Sequence, residues 1–428
     1  MKHLLAYLIH PFLIFLSTIY APGSVLGQTY TTTIDTFYVQ TPEYSASIGL
    51  DSLYFPSAIT TPSTGSGFPI LILVHGTSAL DKDANSTKDY REHSGANYRK
   101  AMTRMFHDIA DSLSRKGIMV LRYDKRSYTV NCIEKPACWF ADTISPYDYI
   151  KDIHHAIDFA KTLSKVDTCN IFLAGHSQGG SFVSLVGYER NDIRGVLNMA
   201  GTALPVDSVA IYQFEHINND LAGANILRQQ FDLLRQGLWP MTDTLYQNHF
   251  SPRFWLDWIS HTDSAVFIQK NLDIPTALMY GTADRFAPSS IHYQMWQDSI
   301  MRPDVTFQLF QDIDHGFGLE NDSSMSPEVL DIMADWIHDK REDCMATTLE
   351  MKNGQADFFA YPNPVNDILI IRLESNRSLP FNLIDIHGKI IIQGTLLGQE
   401  TNSIDLSSLG KGLYLLKAGT SVQPIIKE

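Results

Sequence analysis

From residue 70 to about residue 310, short apolar runs alternate with longer stretches of helical period. Ile70 to Val74 is apolar at every position, the signature of a strand buried on both faces in a parallel sheet. Asn97 to Lys116 reads as an amphipathic helix closed by Gly117, and Ile118 to Tyr123 as the next strand. Tyr147 to Ser164 is helical, Asn170 to Ala174 a buried strand, and Gly195 to Ala200 another strand. Later come a strand at Thr276 to Gly281, a helix at Ser289 to Met301 and a strand at Val305 to Phe310. Thr31 to Val39 and Gly49 to Phe55 read as antiparallel leading strands. This alternation predicts an α/β fold with a doubly wound, mostly parallel sheet.

The pattern breaks in three places. Between Gly201 and Asp273 the strands give way to helical segments, Ala210 to Asn219, Ala222 to Gly237 and Pro252 to Trp258, rich in aromatic residues. Residues 344–357 turn polar and read as a linker. Beyond them Ile368 to Leu373, Phe381 to Asp385, Lys389 to Gly394, Thr401 to Leu406 and Gly412 to Ala418 are short strands between turn signals, one of them His387-Gly388. They predict a small all-β sandwich over residues 358–428 with no acid–histidine constellation.

Candidate chemistry begins where the Asn170 to Ala174 strand ends, at Gly175-His176-Ser177-Gln178-Gly179-Gly180. Gly-x-Ser-x-Gly between a buried strand and a helix is the nucleophile-elbow pattern: the flanking glycines relieve crowding and the serine hydroxyl projects above the sheet. Such a serine needs a base, an orienting acid and an oxyanion hole. Asp284 lies on the loop leaving the Thr276 to Gly281 strand, and His315 on the loop after the Val305 to Phe310 strand, so acid and histidine follow the serine in the required order. Asp312 and Asp314 share the histidine's own loop and are not placed to reach behind its ring. Ile70 to Val74 runs into His75-Gly76-Thr77, which makes the backbone N–H of Thr77, or else of Gly76, one oxyanion donor and that of Gln178 the other. His75 itself reads as structural.

With those positions in hand, residues from about 30 to 343 resemble an α/β-hydrolase, most closely the secreted or periplasmic esterases of the dienelactone-hydrolase-like group. That group carries His-Gly-Ser-Gly-x-x-Asp-Arg-Asp and Arg-Tyr-Asp-Lys-Arg-Gly. Here the segments are His75-Gly76-Thr77-Ser78-Ala79-Leu80-Asp81-Lys82-Asp83 and Arg122-Tyr123-Asp124-Lys125-Arg126-Ser127. Ser78 and Ser127 thus replace two family glycines, while Asp81, Asp83, Asp124 and Arg126 read as charges that brace loops. The resemblance implies a catalytic domain over 28–343 whose helical insertion, about 202–273, forms a cap over the active site. Phe214, Phe231, Trp239, Phe254, Trp255 and Trp258 then either line an acyl or aromatic pocket or pack the cap's own core. The C-terminal module resembles the sorting domain of the type IX secretion system, through Tyr361-Pro362-Asn363-Pro364, Asp385-Ile386-His387-Gly388-Lys389 and the Leu409 to Lys417 segment. That resemblance implies a partner in the secretion machinery, against the alternative of an adhesion or carbohydrate-binding sandwich.

Composition sharpens the compartment. Met1-Lys2-His3, an apolar stretch to about Ile19 and small residues before Gln28 read as a signal peptide over 1–27, cleaved after Gly27. No other segment is long and apolar enough to span a bilayer. Net charge of −14 argues against nucleic acid as a partner. Four cysteines in an exported chain suggest disulfides: Cys132 with Cys138 as a loop-pinning bridge, Cys169 with Cys344 as a weaker pairing. Metal-ligand spacing is absent and the chemistry calls for no cofactor. The expectation is a monomeric, secreted or cell-surface serine esterase acting on a small-molecule or carbohydrate-linked ester. Its rivals are an aminopeptidase-like serine peptidase of the same fold and a catalytically silent binding protein.

Overall fold

The computed structural model describes residues 28–40, 52–85, 104–130, 144–247, 250–319, 324–342, 358–361, 365–373, 378–385, 389–398, 401–419 and 421–427. The expected signal peptide, the Cys132–Cys138 bridge, the 344–357 linker and the His387-Gly388 turn lie outside them, as does Cys344. Cys169 is exposed and forms no disulfide among the described residues.

The catalytic sheet contains β1 (Tyr30–Gln40), β2 (Ser52–Pro62), β3 (Phe68–Val74), β4 (Met119–Tyr123), β5 (Val166–His176), β6 (Gly195–Met199), β7 (Thr276–Gly281) and β8 (Val305–Phe310) in the order β1-β2-β4-β3-β5-β6-β7-β8. Only β1–β2 and β2–β4 pair antiparallel; from β4 to β8 every pairing is parallel. This is the α/β-hydrolase fold. The apolar run at β3 is explained by its place between β4 and β5. Ile70, Ile72 and Val74 pack into one core, and Leu71 and Leu73 into the core on the opposite face.

The first core is covered by α3 (Pro146–Lys161) and α4 (Gln178–Glu189). The second is covered by α1 (Met105–Arg115), α9 (His292–Ser299) and α10 (Pro327–Lys340). Ser145 caps α3 with a full capping box in which Asp148 returns the hydrogen bond. Between β6 and β7 lie α5 (Val206–His216), α6 (Leu221–Arg235), α7 (Pro252–Asp263) and α8 (Ala265–Asn271). The insertion's aromatic residues divide. Phe231, Phe254, Trp255 and Trp258 are buried against one another, with Phe231–Trp255 centroids at 5.0 Å and Trp255 stacked on Trp258 at 5.5 Å, and they extend the first core, Phe254 meeting Tyr149 of α3 at 6.5 Å. Phe214 and Trp239 are only partly buried.

Several elements differ from the sequence reading. Strand β2 runs on through Pro56 to Pro62 and does not stop at Phe55. The β4 ladder begins only at Ser57, so the missing N–H of Pro56 costs no bond, and its carbonyl accepts from the Asp124 N–H at 2.9 Å. Cys169 lies inside β5. The short helix α2 (Arg126–Thr129) and the closing helix α10 were not apparent from periodicity.

In the C-terminal module, β9 (Phe358–Tyr361), β10 (Ile368–Leu373) and β13 (Thr401–Asp405) form one antiparallel sheet. Strands β11 (Leu379–Asp385), β12 (Ile390–Leu396), β14 (Gly412–Ala418) and β15 (Ser421–Lys427) form the other. Phe358, Leu369 and Ile371 of the first share a core with Leu383, Leu416 and Ile425 of the second. The two strands absent from the sequence reading, β9 and β15, are both sheet edges. Pro424 sits in β15, where an edge strand tolerates a missing donor.

Backbone packs closely on backbone where β5 turns into α4. A Cβ on Gly175 would lie 2.0 Å from the Gly179 carbonyl oxygen, and one on Gly179 would lie 2.4 Å from the Val74 carbonyl oxygen. Neither neighbour is a side chain that could swing away. Gly175→Ala should therefore cost more than ~3 kcal/mol. Thermal melting of the purified variant reads this directly; a melting temperature within a degree or two of the wild type would contradict it.

Candidate active site

Ser177 caps α4 with φ 54° and ψ −116°, a conformation that L-residues adopt only when the surroundings impose it. Its N–H donates to the Met199 carbonyl at 2.8 Å, and its carbonyl accepts from Gly180 at 2.9 Å. The side chain is half-buried at the C-terminal ends of the parallel strands. Sheet order explains the location. The chain leaves β3 towards β4 on one side and returns to β5 on the other, so the loops after β3 and β5 diverge and open a crevice. Gly76 lines that crevice: a Cβ there would stand 3.3 Å from the Ser177 Cβ.

The acid and the histidine meet across neighbouring loops. His315 Nδ1 lies 2.7 Å from Asp284 Oδ2, and both residues are buried. The other carboxylate oxygen, Oδ1, accepts from the N–H groups of Phe286 and Ala287 at 2.8 and 2.9 Å, which fixes the carboxylate plane. Asp314 turns its own Oδ1 to the Gly316 N–H at 2.7 Å, and Asp312 is exposed. Neither serves the ring. A Cβ on Gly281 would stand 2.0 Å from the Ile313 carbonyl oxygen, so the acid-bearing and histidine-bearing loops are packed backbone to backbone.

His176 joins these parts. It directly precedes Ser177, and its Nε2 donates to the His315 carbonyl at 2.7 Å. The sequence reading gave it no role, because an interior Gly-x-Ser-x-Gly position carries no signal of what stands opposite. His75 points the other way, donating from Nε2 to the Tyr123 carbonyl at 2.6 Å and stacking on Phe106. The first helix of the insertion reaches the acid loop through Gln213 Nε2, which donates to the Phe286 carbonyl at 3.3 Å.

The loops after β3 and β4 are laced together by charge. Arg122 pairs with Asp83 at 3.2 Å and Lys82 with Asp124 at 3.5 Å. Asp81 Oδ1 accepts from the Asp83 and Asn85 N–H groups. Arg126 is tied to Asp152 through two buried bonds of 2.5 and 2.9 Å. Ser78, at a position where the resembling family has glycine, carries φ +92°. Ser127, at the other such position, donates to the Ser78 carbonyl at 3.2 Å. Among the described residues no three His, Cys, Asp or Glu side chains gather as metal ligands, and no helix is long and apolar enough to cross a membrane.

Four buried histidines are held neutral. Burial pushes His75 and His176 each down to about 3, and His261 and His292, the latter beside the acid loop, each to about 4. In the unfolded chain such rings titrate near ~6.5. Because the folded values lie below the unfolded one, their stabilising contribution is complete above pH ~6.5 and is lost as pH falls towards the folded values. Asp152 opposes this, since burial holds its carboxyl above the ordinary range against the pull of Arg126. Burial raises the Asp124 carboxyl as well, and four rings outweigh two carboxyls. Lys125, which burial holds down to about 7, makes stability rise with pH above that value, so the melting temperature should climb modestly from pH 7 to 8 and fall between pH 6.5 and 5, at roughly 1.4 kcal/mol per pH unit for each fully buried ring. Calorimetry across that range checks the sign; a melting temperature that rises towards pH 5 refutes it.

Comparison with known proteins adds the following. Residues 99–322 match the serine aminopeptidase S33 family. Residues 360–428 match the secretion system C-terminal sorting domain. Esterase EstD of Thermotoga maritima is 27% identical over 276 residues, which cover 61% of this chain and 57% of that protein. The chain thus spans little more than half the length of that curated relative. Among solved structures, Est1E from Butyrivibrio proteoclasticus is similar at 13% identity and a TM-score of 0.41, over 71% of this chain and 96% of that one. The esterase domain of a Rhodothermus marinus protein is similar at 14% identity and a TM-score of 0.42, over 71% and 97%.

Proposed function

The chain belongs to the serine aminopeptidase S33 family of α/β-hydrolases and ends in a secretion sorting domain, and on that premise we propose that it is an exported serine hydrolase that cleaves carboxylic esters through an acyl-enzyme on Ser177. The observation that carries the reading is the strained Ser177 at the elbow, with the buried Asp284–His315 pair tied to it through His176. The likeness to EstD favours an ester over a peptide bond.

The serine hydroxyl attacks the acyl carbonyl as His315 Nε2 takes its proton. Asp284 holds the Nδ1–H, selects the tautomer and balances the imidazolium charge. The carbonyl oxygen becomes an oxyanion in front of the N–H groups of Thr77 and Gln178. Gln178 opens α4, where helical N–H groups lack intrahelical acceptors and the helix dipole favours negative charge. Collapse expels the alcohol, which leaves with the proton from His315. Water then enters, is deprotonated by His315 and releases the acid from Ser177. The substrate is a small-molecule or carbohydrate-linked ester, and the acting unit is a monomer. No step calls for a cofactor.

A panel of p-nitrophenyl esters against aminoacyl anilides, run with fluorophosphonate labelling, tests this. Esters should turn over faster than anilides, and labelling should vanish in Ser177→Ala; the reverse preference makes the protein an aminopeptidase, and surviving label removes Ser177 from the mechanism. Asp284→Asn should lower kcat by at least about a thousandfold with KM little changed, because the lost interaction is made in the transition state. Asp312→Asn and Asp314→Asn should each cost far less. If either of them cripples the enzyme while Asp284→Asn stays active, the acid is misassigned.

Residues 358–428 act as the export address and take no part in catalysis. A chain ending at Gln355 should keep its full kcat yet remain inside the producing cell. Fractionation and an ester assay read both outcomes, and a folded but slow truncated enzyme would count against the division.

A further inference from the structure

Lys125 is a buried cation that the catalytic reading leaves unused. It follows β4, is 4% exposed, and its backbone N–H donates to the Leu80 carbonyl at 2.9 Å. Its ammonium group reaches three partners. Nζ donates to the Gly76 carbonyl at 2.5 Å and to Gln178 Oε1 at 2.8 Å, and stands 4.3 Å from the centroid of the Tyr149 ring. An ammonium has three protons, so two hydrogen bonds and one aromatic face saturate it.

One of those partners shares a peptide unit with the Thr77 N–H, and another is the side chain of Gln178, the two residues assigned to the oxyanion hole. The Gly76 carbonyl and the Thr77 N–H are the two ends of one peptide unit. In a trans peptide they point in opposite directions. Pulling the Gly76 oxygen inward onto Lys125 therefore turns the Thr77 N–H outward, away from the lysine. The Gln178 side chain is held by the same ammonium while its backbone opens α4. We propose that Lys125 is the positioning residue of the oxyanion hole, tying the loop after β3 to the nucleophile elbow so that the Thr77 and Gln178 N–H groups converge on the developing charge. The inference rests on the serine-hydrolase reading above.

The charge adds to the geometry. A cation on the carbonyl oxygen polarises the peptide and makes its N–H a stronger donor, in surroundings from which water is excluded. Burial pushes the lysine down to about 7, with the Asp152 carboxylate pulling it back up. The groups around it are Asp152 and Tyr149 of α3, Arg126 and Tyr123 on its own segment, and His75 on the loop after β3. Asp152 is already engaged by Arg126, which leaves the lysine's charge to the peptide and the amide.

The test uses matched oxoester and thionoester substrates. Sulfur accepts hydrogen bonds poorly, so an intact hole discriminates strongly against the thionoester. Lys125→Met keeps the stem and removes charge and donors. We expect kcat for the oxoester to fall about a hundredfold, KM to change less than about threefold, and the oxoester-to-thionoester ratio of kcat/KM to collapse. His315→Ala should slow both substrates alike and leave the ratio standing, so a general loss of chemistry is distinguishable. Lys125→Gln, which keeps one donor for the Gly76 carbonyl, should recover part of kcat and of the ratio. Circular dichroism checks folding, and if the Met variant fails to fold, the ratio in Lys125→Gln decides. An unchanged ratio with Ser177→Ala inactive overturns the role of the lysine alone. Turnover retained in Ser177→Ala overturns this inference and the reading beneath it together.

Discussion

The close approach of backbone to backbone at the end of β5 governs the rest of the molecule. Gly175, Gly179 and the carbonyl of Val74 leave no space for a methyl group. Helix α4 must therefore start directly over the strand ends, and Ser177 must take up its positive φ. A loose turn would let the serine relax into an ordinary backbone well. Here the surroundings over-determine the conformation. The same contact brings the loop after β3 against the elbow, and His176 then carries the position of Ser177 across to His315.

Much of the catalytic fold is legible because burial on both faces leaves its mark on composition. Ile70 to Val74 and, after its first residue, Asn170 to Ala174 can be read as strands since they are apolar on both faces, and the structure has them as β3 and part of β5. Pro56 hides the extent of β2, because whether a proline interrupts a ladder depends on the neighbouring strand. The strands β9 and β15 escape for a related reason: β9 is only four residues long, and Pro424 interrupts the pattern of β15.

The site shows the same division. Ser177, Asp284 and His315 stand out by their order on successive loops, and the structure brings Asp284 and His315 together at 2.7 Å. Residues that act through a carbonyl or a neighbour do not stand out. His176 and Lys125 have their meaning only in what lies across from them, a main-chain oxygen that any residue could supply. The loop-bracing charges occupy a middle ground. Asp81, Asp83 and Asp124 could be assigned a bracing role from their clustering, but the partners, Arg122 and Lys82 among them, emerge only from the fold.

The four helices between β6 and β7 form one uninterrupted stretch of chain, and the strands at its two ends are hydrogen-bonded neighbours, Val196 beside Thr276 through Met199 beside Met279. Their aromatic residues Phe231, Phe254, Trp255 and Trp258 pack together and continue the core beneath β3. Such a segment is a cassette. Recombination can replace it as a block between two fixed points of the scaffold, provided the new block renews the Gln213 bond to the Phe286 carbonyl on the acid loop. New selectivity would then be acquired in one genetic event, and the reaction chemistry would be inherited unchanged.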